Sequence, residues 1–123
     1  MAFPANFNIN YYRGDTYEFK IYPKLTNGQS FSLEGYDRIN GVKFTISTER
    51  GIDGRPTKVE AYAEIPLDRT HITCAIRPDD GDALDATREY VYDVEINKTD
   101  SPYNKVFTLL TGNLSITDQV TGA

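Results

Sequence analysis

The stretch Tyr90-Val91-Tyr92-Asp93-Val94-Glu95-Ile96 decides the fold. Tyr90, Tyr92, Val94 and Ile96 share one parity, while Val91, Asp93 and Glu95 share the other. Apolar residues at every second position place one face of an extended strand in a core and the other toward water. β-Branched and aromatic side chains fit that pleated surface. Outward from this stretch the alternation repeats. Upstream it runs through Phe7, Ile9 and Tyr11; Tyr17, Phe19 and Ile21; Val42, Phe44 and Ile46; Val59, Ala61, Ala63 and Ile65; and Ile72, Cys74 and Ile76. Downstream, Val106, Leu110, Leu114 and Ile116 share one parity of a long last segment, Lys105 to Thr117. These rows are the expected core. Gly, Pro, Asn and Asp punctuate the runs at short intervals, and helix-period stretches are nearly absent. Seven half-buried runs in one short chain predict two antiparallel sheets packed face to face.

Two places depart from simple alternation. Arg77-Pro78-Asp79-Asp80-Gly81-Asp82-Ala83-Leu84 sets Pro and acids where a helix begins, which predicts a single helical turn with Leu84 plugging one end of the sandwich. In the last segment Gly112 predicts a bulge or a close backbone contact. Phe107 and Leu109 lie on the parity opposite to the core set. They are expected to face outward, covering a second apolar surface, unless the strand switches sides at the bulge.

The chain has 123 residues, the size of one domain spanning 1–123. Hydrophobic residues at 39% and charged residues at 25% give a soluble globular balance. Thirteen basic against 18 acidic side chains leave a formal charge of −5. That sum argues against a general nucleic-acid binder, which needs excess Lys and Arg to release counterions, and against a polybasic membrane-surface module. Eight acids and two bases lie between Asp79 and Asp100, a local −6 that leaves the remainder at +1. The uncharged stretches fall far short of a bilayer span, and the first residues lack the pattern of a signal peptide. Cys74 is the single cysteine, so the fold is expected to stand on packing alone, in a reducing cytoplasm. The sequons at Asn97 and Asn113 are then read as chance.

Particular strings carry more than periodicity. Near the start stands Phe7-Asn8-Ile9-Asn10-Tyr11-Tyr12-Arg13-Gly14-Asp15-Thr16, followed by an alternating strand and then Leu33-Glu34-Gly35-Tyr36. Later come Ile76-Arg77-Pro78-Asp79-Asp80, the Tyr90–Ile96 stretch, and a closing Thr108-Leu109-Leu110-Thr111-Gly112-Asn113-Leu114-Ser115-Ile116-Thr117 with Val120-Thr121 behind it. In this order they resemble the Ig-like domain of tailed-bacteriophage structural proteins, in particular the N-terminal domain of upper baseplate and minor tail proteins. The resemblance covers nearly the whole chain. It departs at residues 48–58, a longer charged hairpin, and in ending directly after the domain where many relatives continue into a fibre. It implies an Ig-like antiparallel β-sandwich of about seven strands with one short helical turn. It also implies a non-enzymatic virion subunit, at the tail tip or baseplate and assembled in the host cytoplasm. Its partners would be other phage virion proteins, as a homo-oligomer or ring, with no cofactor, nucleic acid or membrane. A capsid decoration subunit and a host-surface module for saccharides are the alternatives.

Candidate sites follow from residue chemistry. Asp79, Asp80, Asp82 and Asp85 have the carboxylates that Ca²⁺ favours, but their spacing misses the EF-hand rule, and acids on a solvated helix start are the reading taken. Arg13-Gly14-Asp15 matches an integrin tripeptide, and is read as a turn with Gly at an unusual φ. His71 and Cys74 are three apart on one run, so they point to opposite faces and form no dyad. No nucleophile–base order or phosphate-binding loop is present, and an enzyme is not expected. At least one of Tyr90 and Tyr92 is expected to serve as a corner tyrosine bonded to backbone. Tyr12, Tyr22 and Tyr62 fall on the polar parity, and Tyr36 and Tyr103 in turns. Exposed Tyr gives large rigid contact area. The expected interface residues are Tyr12, Tyr22, Tyr62, Phe107 and Leu109.

Overall fold

The computed structural model describes residues 5–48, 58–99 and 102–118. The chain is mostly β. Its strands are β1 (Ala5–Asn6), β2 (Ile9–Arg13), β3 (Tyr17–Ile21), β4 (Val42–Ser47), β5 (Lys58–Glu64), β6 (Ile72–Ile76), β7 (Tyr90–Lys98) and β8 (Lys105–Asp118). The expected helical turn is α1 (Pro78–Asp82), between β6 and β7. Most of the charged hairpin expected at 48–58 lies outside the described residues, as does the closing Val120-Thr121.

The strands follow one hydrogen-bonded path, β1-β8-β7-β4-β5-β6-β3, with β2 also on β8. Pairing is antiparallel except at one margin. There β1 and β2 run parallel to β8, with Ile9 opposite Leu114 and Tyr11 opposite Ile116. The sheet is therefore mixed, a correction to the purely antiparallel expectation. β5 is the corner. Its first half pairs with β4 (Phe44 opposite Ala61) and its second half with β6 (Ala63 opposite Cys74). Past that corner the sheet curls back over itself. The ring of Phe19 on β3 meets Phe44 on β4 edge-on at 5.4 Å, and Phe44 meets Tyr92 on β7 at 5.6 Å. β3 has no ladder to β4 or β7, so the Phe19–Phe44 contact crosses the interior, while Phe44 and Tyr92 stand on neighbouring strands.

The inward rows of β4, β6 and β7 are buried, as alternation dictates, and Leu84 plugs the interior below α1. Burying each such side chain contributes about 1.5–3 kcal/mol. Tyr17, Phe19 and Ile21 are half-buried because β3 is a margin strand, and Val59, Ala61 and Ala63 because β5 turns the corner. Phe7, expected in the core, is 48% exposed. Between β1 and β2 its carbonyl, rather than its ring, enters the interior and accepts the Tyr92 hydroxyl.

The last strand explains two further departures. β7 and β8 shift register between Val94 and Glu95: Val94 faces Leu110, but Glu95 faces Thr108. Leu109 is the extra residue, so the strand does switch sides. Before the bulge Phe107 faces the core and Val106 faces water; after it Leu110, Leu114 and Ile116 face the core. Leu109 is 2% exposed, which overturns its outward placement, and Val106 is not a core residue. Gly112 lies beyond the bulge and makes the close backbone contact instead. A Cβ there would run into the Phe7 carbonyl and stand 3.1 Å from the Tyr92 ring. Gly112→Ala should therefore cost about 2–3 kcal/mol, because the obstacle is backbone and cannot rotate away. Urea denaturation of the variant beside the parent chain checks this; an unchanged midpoint would refute the packing.

Candidate functional site

Register sorts the loops into two ends. Ile21 faces Ile72, Glu64 faces Thr73, Val42 faces Ile96 and Lys98 faces Lys105. The connections 22–41 and 65–71, with residues 102–104 before β8, therefore gather at one end. The turn at Gly14–Thr16, α1 with its following loop, and the end of β8 gather at the other.

At the first end, arginines bind loop to loop. The Arg38 guanidinium donates to the Ile65 carbonyl at 2.8 Å and to Glu64 at 2.9 Å, and the Ile65 N–H returns a bond to the Arg38 carbonyl. Arg69, held at φ 53°, donates to the carbonyls of Tyr36 at 2.8 Å and Leu33 at 3.1 Å. Leu33 and Tyr36 are buried by this bracing, so Tyr36 is a core residue rather than a surface one. The Lys98 ammonium lies 4.8 Å over the Tyr36 ring. Phe107 meets Phe31 edge-on at 5.7 Å, and with Tyr36, Lys98 and Lys105 they line a hollow of about 250 Å³.

Around that braced platform stand apolar side chains that the fold does not bury. Leu67 is 81% exposed, Tyr103 67%, Ile39 57% and Tyr22 55%, and Val106 joins them. Tyr22 lies against the His71 ring at 5.2 Å. Exposed large apolar side chains gathered on one rigid end mark an interaction surface more readily than the same residues scattered singly. The sequence reading picked out Tyr22 and missed Ile39, Leu67 and Val106. Leu67 carried a signal: it is an apolar residue in a polar turn, Pro66-Leu67-Asp68, outside every alternating run.

The other expected interface residues do not join this group. Tyr12 is exposed on β2, at the far margin. The Tyr62 hydroxyl donates to Glu64, which with partial burial raises its pKa, and the Arg77 guanidinium lies 5.7 Å over its ring. Phe107 is half-buried against the core, and Leu109 is inside.

The second end is acidic. Asp79, Asp82, Asp85 and Glu89 are exposed there. Asp80 turns inward and accepts the Arg77 guanidinium at 2.9 and 3.0 Å and the Arg77 backbone N–H at 3.0 Å. Its carboxylate closes the start of α1 rather than facing a ligand. Among the described residues no three carboxylate, histidine or cysteine side chains converge as a metal site would require. At Arg13-Gly14-Asp15 the chain makes the expected turn: Gly14 has φ 97°, and the buried Tyr11 hydroxyl donates to the Asp15 carbonyl at 2.7 Å. Arg13 pairs with Asp118 at 3.6 Å. On the outer face above β2 and β8, a cleft of about 500 Å³ is lined mainly by amide and hydroxyl side chains, among them Asn8, Asn10, Asn113 and Ser115.

His71 and Cys74 are separated as their spacing requires, His71 near the loop end and Cys74 wholly buried. Burial pushes the Cys74 thiol up to about 12. No helix among the described residues is long and apolar enough to cross a membrane. A scan against protein-family models finds no match, and a search of curated proteins finds no relative.

Two outcomes follow. The native protein should leave Cys74 unmodified by a thiol reagent at pH 8 and become fully labelled only in denaturant, since the thiolate is both disfavoured and enclosed. Asp80→Ala should lower stability by roughly 1 kcal/mol, because the Arg77 backbone N–H at the start of α1 loses its acceptor while the exposed guanidinium turns to water. Calorimetric melting against Asp79→Ala, an exposed neighbour, provides the comparison, with little change expected in the latter.

Proposed function

We propose that the protein is a non-enzymatic structural subunit of a tailed-bacteriophage particle, placed at the tail or baseplate and acting through protein–protein contacts. The observation that carries the reading is the braced loop end, where Ile39, Leu67, Tyr103 and Val106 stand exposed on a rigid frame. An enzyme would hold polar groups of matched reactivity in a cleft. Here the one thiol is enclosed, and the loop end offers apolar contact area.

We propose likewise that the curled sheet is an Ig-like sandwich divided at β5. Three features support it. β3, β6 and the second half of β5 form one leaf, while the first half of β5 forms the other with β4, β7, β8, β2 and β1. A parallel strand lies on the last strand of that second leaf. Tyr90, at the start of β7, accepts the Asp85 N–H at 2.8 Å, the corner-tyrosine arrangement five residues upstream. These join the order of turn and strand motifs that resembles phage Ig-like domains.

A second reading rests on the polar cleft of about 500 Å³, whose amides and hydroxyls suit an uncharged polyol and hence a saccharide on a host surface. Capsid decoration remains the alternative placement within the particle. Gold-labelled antibody against the chain, applied to purified particles of the phage that encodes it, separates these. Label at the tail end is the expected result. Label over the capsid would select decoration, and absence from particles would overturn the structural role. Binding on a glycan array would favour the saccharide reading.

A further inference from the structure

Strand β3 stands at the margin of the sheet, and we infer that its outer edge receives β3 of a second copy, antiparallel and centred on Phe19, so that the chain forms a symmetric dimer. This goes beyond the proposed role, since it rests on a strand edge rather than on the loop end.

The edge is set by the topology. β3 ends the hydrogen-bonded path, and along Tyr17–Ile21 its ladder is to β6, with Phe19 opposite Cys74. In an antiparallel ladder each strand turns alternate N–H and carbonyl groups away from its partner. Among the described residues no other segment takes up those groups on β3. A margin of this kind is a template for another strand.

The side chains select which strand. Tyr17, Phe19 and Ile21 point inward but stay half-buried, while Glu18 and Lys20 are exposed. Among the described residues neither Glu18 nor Lys20 enters an ion pair. Asp68 is within electrostatic reach of Lys20, but its carboxylate is bonded to Thr70. Laid antiparallel about Phe19, β3 sets Glu18 opposite the partner's Lys20, Lys20 opposite the partner's Glu18, and Tyr17 opposite the partner's Ile21. Residues of one parity meet, so the inner faces of the joined sheets stay continuous. Both charge pairs are opposite in sign, and the half-buried inward row gains cross-strand neighbours. A slip of two residues one way sets Glu18 against Glu18, and the other way Lys20 against Lys20. Parallel pairing in register does both. The charges of β3 therefore favour the one antiparallel register. Such a contact is isologous and closes at two chains.

Analytical ultracentrifugation of the full chain and its charge-reversal variants tests this. Glu18→Lys and Lys20→Glu alter exposed side chains, and circular dichroism confirms that each variant folds. The parent chain should show a concentration-dependent monomer–dimer equilibrium. Each variant alone opposes like charges at both pairs and should raise the dimer dissociation constant about tenfold. An equimolar mixture of the two should recover the parent's affinity, because every cross-strand pair is again opposite in sign. The chain carrying both substitutions should recover it as well. Amide exchange on β3 should slow as the dimer population rises. A parent chain that stays monomeric at high concentration overturns the inference. So does a dimer that either reversal leaves intact, a mixture that binds no more tightly than the variants alone, or a dimer with β3 exchange unchanged. None of these failures touches antibody labelling of particles, which tests the assembly reading separately.

Discussion

The burial of two tyrosine hydroxyls on β7 is the constraint from which the rest of the structure follows. β7 is hydrogen-bonded on both sides and its inward row is almost wholly enclosed. Tyr90 and Tyr92 carry polar groups into that enclosure, where an unpartnered hydroxyl is costly. Each finds backbone from a segment outside the β4–β7–β8 sheet. Tyr90 takes the Asp85 N–H and so fixes the link from α1. Tyr92 donates a hydrogen bond to the Phe7 carbonyl, holding residues 5–7 against β8, where only a glycine at 112 leaves them room. Tyr11 repeats the device, its hydroxyl bonded into the Gly14-Asp15 turn and its ring against Gly81. The tyrosines thus act as ties between sheet and loops as well as core volume.

The same economy shapes the loop end. A long connection such as 22–41 has little regular structure to satisfy its carbonyls. Arg69 and Arg38 supply donors from within the loop region, and their planar guanidinium groups reach two acceptors each. Under the proposed assembly role, a loop end held by such bonds would lose little freedom on meeting a partner at Leu67.

Much of this was legible beforehand and some was not, for identifiable reasons. Alternation located the strands from β2 to β8 because period two is a local consequence of the pleat. Pro78 and the acids after it marked α1 because capping is local too. Leu109 and Val106 were misplaced because the bulge that exchanges their faces depends on the partner strand, and nothing within Lys105–Thr117 shows where β7 inserts its register shift. Phe7 was misplaced because its backbone answers a hydroxyl 85 residues away. Of the candidate interface, Tyr22 was found by parity. Ile39 and Leu67 were not, since loops carry no parity to violate.

By itself the sequence determined an all-strand chain with one helical turn, its core rows, its single enclosed thiol and the acidity of the segment after β6. These depend on spacing and composition, which act within a few residues. The tertiary structure alone decided that β1 and β2 run parallel to β8, that β5 turns a corner, that Leu109 points inward, and that apolar and acidic groups end up at opposite poles. The physical reason is that each of those outcomes is set by which distant segments share hydrogen bonds. Strand pairing satisfies backbone groups without regard to side-chain pattern, so several pairings are compatible with one alternation. Only the packed interior, with its buried hydroxyls needing partners and its glycine leaving space, selects among them.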